Sequence, residues 1–159
     1  MTEISINGWK IYLHPLFLDQ QKLMIEEVRK ARAADPANFE SKRCTKILRA
    51  LRKVAVREIP RDPFDPQYRQ GSTLGDDYKH WFRGKFLQQY RLFFRFSEKE
   101  RIIILVWVND EDTKRAYESK NDAYRTFRKM LDRGRPPNDW ATLLKEAKAV
   151  ASPALDSDI

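Results

Sequence analysis

Three runs rich in β-branched and aromatic residues follow one another in the middle of the chain: HWFRGKFL at 80–87, YRLFFRF at 90–96 and RIIILVWV at 101–108. Short polar turns separate them, and runs of this length and spacing pair most simply as an antiparallel meander. Alternate side chains of a strand face opposite ways, so the runs sort into faces. Leu92, Phe94 and Phe96 share one face and Arg91, Phe93 and Arg95 the other, while Phe82, Gly84 and Phe86 oppose Arg83 and Lys85. If the apolar faces cover helices, Arg83, Lys85, Arg91 and Arg95 emerge together on the opposite face as a concentrated positive surface. The run 101–108 is apolar on both faces, which predicts a central strand that delivers Asn109, Asp110 and Glu111 to one rim. Two readings of the cations stay open: the solvated face of a sheet, or a surface for nucleic acid. Phe93 favours the second as a stacking platform for an unpaired base, although it can also sit under the loop at 58–79.

The rest of the pattern is mostly helical. Residues 9–13 (WKIYL) alternate with period two, and Pro15 suits the first turn of a helix. Phe17, Met24, Val28 and Ala31 then recur at helical spacing from Leu16 to about Ala34. Asp35-Pro36 is a start signal for a second helix carrying Cys44, Ile47, Leu48, Leu51, Val54 and Ala55, and the two form a hairpin. Pro60, Pro63, Pro66, Gly71 and Gly75 mark 58–79 as a long loop, a kind that is often functional. From Asn109 the pattern is helical through Arg133, with Tyr117, Tyr124, Phe127, Met130 and Leu131 placed to pack on the sheet and Gly134 ending it. Asn138 or Asp139 caps a last helix with Trp140, Leu143, Leu144 and Ala147. At 159 residues the chain has room for one ordinary domain. The expectation is a single α+β domain over 1–150, with an antiparallel sheet that includes an N-terminal strand, a helical hairpin on one face and C-terminal helices. Residues 151–159 read as a disordered tail.

Charge and composition narrow the chemistry. Lys and Arg number 31 against 23 Asp and Glu, a net charge of +8, so a polyanion is the natural partner. No apolar run approaches the ~18 residues of a membrane span and the start lacks a signal-peptide core, which predicts a cytoplasmic protein with no membrane partner. The one cysteine, Cys44, lies on a helical stripe and reads as a small hydrophobe. His14 and His80 are far apart and form no zinc motif. Sequence fingerprints for nucleoside triphosphates, dinucleotides, acyl-serine chemistry and zinc ribbons are missing. Asp110-Glu111-Asp112 could hold a divalent ion, yet favourable charge at a helix N-terminus explains it more cheaply, so no metal is expected. His80 is the usual acid-base residue type, but a single histidine at a strand start also suits a structural role.

NGWKIYLHP at 7–15, YRLFFRFSEKERIIILVWVNDEDTKRAY at 90–117, and DAYRTFRKMLDRG with the following Arg135, Pro136 and Pro137 resemble the RelE superfamily of bacterial toxins. More narrowly they resemble the YhaV toxins, over about residues 7–145. The resemblance implies a RelE-like α+β fold and a small ribonuclease, the toxin of a type II toxin-antitoxin system. Such a toxin cuts messenger RNA, typically on the ribosome, and inhibits translation. It implies chemistry without metal or cofactor, in which the RNA 2′-hydroxyl attacks the adjacent phosphate and cations stabilise the developing charge. Arg83 and Lys85 match the family's basic pair, Arg91 the arginine after a tyrosine, and Tyr117 the tyrosine early in the last helix. Glu111 stands where some relatives carry a cation, which Arg115 or Arg95 could replace.

On this reading Arg83 grips phosphate oxygens as they gain charge, and Lys85 and Arg91 hold the flanking phosphates. Tyr117 or Glu111 exchanges protons with the 2′-hydroxyl or the 5′-leaving oxygen, though Tyr117 can equally be buried against the sheet. Arg95, Phe93, Lys79, His80 and Arg115 complete the RNA contacts. The implied partners are an AbrB-like, swapped-hairpin antitoxin, messenger RNA, the ribosome, and operator DNA only through the antitoxin complex. A non-enzymatic module that binds RNA or the ribosome through the same cations is the alternative.

Overall fold

Asn7 and Gly8 both adopt positive φ (52° and 81°), the two-residue turn that suits the twist of a hairpin. They join β1 (Ile4–Ile6) to β2 (Trp9–Leu13) in the computed structural model, which describes residues 4–110 and 122–150. His14 then caps α1 (Pro15–Ala34): its ring accepts from the Leu16 N–H at 3.3 Å, and Pro15 occupies a first-turn position that needs no N–H.

The second helix starts later than Asp35-Pro36 suggests. Asp35 closes α1 instead, its N–H donating to the Ala31 carbonyl at 2.9 Å, and one 3-10 turn (Phe39–Ser41) intervenes before α2 (Arg43–Arg52). A π-helical turn (Lys53–Glu58) and α3 (Ile59–Arg61) extend α2, so the punctuated loop begins at residue 62 rather than 58. That loop holds short 3-10 turns at Pro66–Tyr68 and Asp76–Tyr78 and one isolated antiparallel bridge from Arg69 to Phe82. Gln70 ties it together: its amide oxygen accepts from Thr73 Oγ1 and the Leu74 N–H, and its Nε2 donates to the Tyr78 carbonyl.

The meander forms as its alternation predicts: β3 (Phe82–Phe86), β4 (Tyr90–Ser97) and β5 (Ile102–Val108). The five strands lie in the order β1-β2-β5-β4-β3, with β5 central. Every pair is antiparallel except β2 with β5, which is parallel. Gly84 allows the π-helical turn to press on β3, since a Cβ there would lie 2.6 Å from Val54 Cγ1.

Both faces of the sheet are covered. On one, Phe17, Leu51, Leu92, Phe94, Ile103 and Leu105 form a core under the N-terminal helices. On the other, Trp81, Phe93, Ile104, Val106, Phe127 and Leu143 form a second core beneath α4 (Ala123–Asp132) and α5 (Trp140–Lys148). Each fully buried Leu or Phe contributes about 1.5–3 kcal/mol, so the second layer is no minor addition. The expected open positive face is therefore corrected: the face carrying Arg83, Arg91 and Phe93 is roofed by the C-terminal helices. The reading of one helix from 109 through 133 is corrected too. Asp122 caps α4 with extended backbone (ψ 141°), its carboxylate accepting from the Tyr124 N–H at 3.1 Å. Glu111, Arg115 and Tyr117, and the tail 151–159, lie outside the described residues. Among the described residues no helix is long and apolar enough to cross a membrane.

Candidate active site

The pairing of β3 with β4 sets Lys85 opposite Arg91 and Arg83 opposite Phe93, so three cations share one face near the hairpin end. The Asp122 cap starts α4 so that Tyr124 falls in its first turn, directly over them. Arg83 Nε donates to the Tyr124 hydroxyl oxygen at 2.7 Å, and Arg91 Nε donates to the same oxygen at 3.1 Å. Two like charges on one phenol are tolerable because carbonyls hold each fork. Arg83 Nη1 donates to the Gln67 carbonyl at 2.6 Å, and Arg91 Nη1 to those of Gln88 at 2.7 Å and Tyr90 at 3.0 Å. Gln88 is in the β3–β4 turn, at positive φ (66°). Asn109 pins that turn to the end of β5, its Oδ1 accepting from the Arg91 N–H at 2.6 Å and its Nδ2 donating to the Gln89 carbonyl at 3.0 Å.

Arg83 and Arg91 are only 8% and 7% exposed. Buried charge is costly unless paired, and neither meets a carboxylate among the described residues. Nε and Nη1 of each are engaged, and among the described residues the second terminal nitrogen of neither has a hydrogen-bond partner. Two desolvated guanidiniums held at fixed spacing are suited to a phosphate whose charge grows during reaction. Lys85 is exposed across from Arg91 and suits a flanking phosphate.

Arg95 sits elsewhere. It is four residues along β4 from Arg91, about 13 Å at ~3.3 Å per residue. Its Nη1 donates to the Asn138 carbonyl at 2.6 Å, and its guanidinium faces the Trp81 and Trp140 rings at 5.5 and 5.4 Å. Burial lowers its pKa to about 10, still charged at neutrality. His80 joins this second cluster. Asn138 Oδ1 accepts from Trp81 Nε1 at 2.9 Å and lies 2.6 Å from His80 Nε2, which therefore carries the ring proton, and burial lowers the His80 pKa. Lys79 is exposed with its ammonium 3.5 Å from Asp76.

Phe93 is fully buried, stacked on Phe127 at 4.3 Å and edge-on to Tyr124, so the expected base platform is corrected: α4 already occupies its face. Among the described residues no three His, Cys, Asp or Glu side chains gather as a metal site. Asp110 alone of the acidic run falls within them. The residue that sequence reasoning passed over is Tyr124, read only as packing. A buried tyrosine needs a partner for its hydroxyl, and that requirement on a core stripe was the available signal.

A family model described as a toxin with endonuclease activity, of a toxin-antitoxin system, matches residues 11–148. This class accords with the mixed α+β fold and its five-stranded sheet. The ribonuclease toxin YhaV of Escherichia coli (strain K12) is 46% identical over 145 residues, covering 90% of this chain and 94% of that protein. Toxin YhaV of Escherichia coli O157:H7 matches to the same extent. The chain belongs to the YhaV toxin family. No solved structure matches it.

Proposed function

We propose that this toxin is an endoribonuclease in which the RNA supplies its own nucleophile. The 2′-hydroxyl attacks the adjacent phosphorus and the bond to the 5′-oxygen breaks, leaving a 2′,3′-cyclic phosphate and a 5′-hydroxyl. One proton leaves the 2′-oxygen and one reaches the departing 5′-oxygen. The observation that carries this reading is the convergence of two buried guanidiniums, Arg83 and Arg91, neither of which meets a carboxylate among the described residues, on the Tyr124 oxygen. Arg83 and Arg91 stabilise the phosphorane oxygens, Lys85 holds a flanking phosphate, and Tyr124 sets the spacing of the two guanidiniums as a positioning residue. Tyr117 and Glu111 remain the proton-exchange candidates, and Arg115 an RNA contact. Arg95, Lys79 and His80 form a second cationic stretch for RNA beyond the cleavage point. The substrate is messenger RNA, engaged on the ribosome, and an AbrB-like antitoxin neutralises the protein and carries it to operator DNA.

The test is the chemistry of the ends. Toxin freed of antitoxin, given naked RNA and ribosomes engaged on message, should leave 5′-hydroxyl ends, and chelator should not stop cleavage. Ends bearing 5′-phosphate with strict magnesium dependence refute the mechanism. Ribosome binding with no cut under either condition would establish the non-enzymatic module instead.

A further inference from the structure

The described residues expose three large hydrophobic side chains: Leu23 (73%), Leu87 (48%) and Phe64 (40%). Phe64 is accounted for, since its ring packs at 5.9 Å from Trp9 and 5.0 Å from Phe96. The other two border one groove. A cavity of about 360 Å³ between α1 and α2 is lined by Leu23, Met24, Cys44 and Ile47. A second, of about 400 Å³, is lined by Lys46, Leu87 and Gln88, and the two share Arg43 and Ile47. The two adjoin at Arg43 and Ile47, so they form one trough that is apolar beside α1 and more polar, with Ser41, Arg43, Lys46 and Gln88, toward the β3–β4 turn. An isolated surface leucine needs no explanation, but a trough with a leucine at each end does.

We propose that this trough is the docking site for an amphipathic segment of the cognate antitoxin, whose apolar ridge fills it and whose acidic residues face α2. Membership of a toxin-antitoxin family requires such a partner, and the inference rests on that membership rather than on the cleavage mechanism. The apolar floor favours a protein over RNA. The lining specifies charge by side: Arg43 and Lys46 line it from α2, whereas Glu27 on α1 and Asp110 after β5 line it opposite, so the acidic groups of an occupant belong against α2. Occupancy also has a route to the site. The trough is lined by Gln88 and Asn109, whose carbonyl and amide oxygens hold Arg91.

The unmodified protein offers the first test, because its one cysteine lines the trough. Saturating purified antitoxin should slow maleimide labelling of Cys44 at least 10-fold, read by mass spectrometry, whereas a short RNA should not. Leu23→Glu, at an exposed position away from the arginine pair, should keep toxicity and thermal stability. Its antitoxin affinity should fall at least 10-fold, and Lys46→Glu should lower affinity most at low salt. Unchanged Cys44 labelling in a complex shown to have formed, or Leu23→Glu affinity within 2-fold of wild type, overturns the proposal. Protection of Cys44 by RNA but not antitoxin overturns it in favour of a nucleic-acid surface. Failure of the native toxin to bind antitoxin at all overturns the partnership itself, a result independent of the ends left on cleaved RNA.

Discussion

Tyr124→Phe removes one oxygen and leaves the ring packed edge-on against Phe93 in the second core. Two buried guanidiniums lose an acceptor at once, at 2.7 and 3.1 Å. A hydrogen bond to a charged group is worth about 1.5–3 kcal/mol, with the longer one at or below the bottom of that range. Each arginine keeps its carbonyl partners, so the forks stay in place while their spacing is lost. The expected cost is about 3 kcal/mol, which for a chain of this size lowers Tm by roughly 6–12 °C. Cleavage measured well below the melting transition should fall by about 10- to 100-fold, since misplacing charge by an ångström costs that much. Urea and thermal unfolding of the freed toxin measure the first effect, and single-turnover cleavage the second. Tyr78→Phe is the control, because that phenol donates at 2.6 Å to Asp132 on the surface and its loss should cost under about 1 kcal/mol. A Tyr124→Phe protein that melts within 2 °C of wild type and cuts at the wild-type rate refutes the assignment of a linking role to this hydroxyl.

Arg83→Ala should reduce cleavage by about 100-fold or more, and Arg83→Lys should restore only part of it, because an ammonium cannot hold Tyr124 and Gln67 while presenting a second planar donor. Both need parallel unfolding measurements, since this side chain is buried. Gly84→Ala should destabilise by about 1–3 kcal/mol through the clash with Val54, and the penalty should shrink in a Val54→Ala background, as a double-mutant cycle would show. Burial lowers the pKa of His14, which caps α1 and donates from Nε2 to Glu146 at 2.8 Å. The unfolded chain therefore takes up this proton at the higher pH, so the stability His14 contributes is complete above about pH 6.5 and is lost as pH falls below it. Urea titrations from pH 7.5 to 5 should show that decline, and His14→Asn, which keeps a cap acceptor, should flatten it.

Much of the sheet was legible because period-two alternation survives in a strand whatever covers it. The three meander strands and the central place of β5 follow directly from 80–108. What alternation cannot say is what lies on each face. Arg91, Phe93 and Arg95 on one side looked like an open surface, whereas Phe93 anchors a second core and each arginine is satisfied by a tertiary partner. The sign was present in Ile102, Ile104 and Val106, an apolar second face of β5 that water would not tolerate. Asn7-Gly8, the strongest short hairpin signal in the chain, marks β1, which the pattern reading passed over because the strand is only three residues long. Arg83 and Lys85 were recognisable as a pair from the resemblance. Tyr124 was not, because its role depends on where α4 docks across the sheet, a long-range fact that no local spacing encodes.

The arginine pair is assembled from distant parts of the chain. Arg83 and Arg91 come from one hairpin, but the oxygen that gathers them arrives on α4, after β5 has been laid into the centre of the sheet. During synthesis the two cations emerge from the ribosome well before the phenol that spaces them. A chain ending before Tyr124 carries its basic residues without their common anchor, and on the proposed mechanism it lacks the fixed spacing of guanidiniums that cleavage needs.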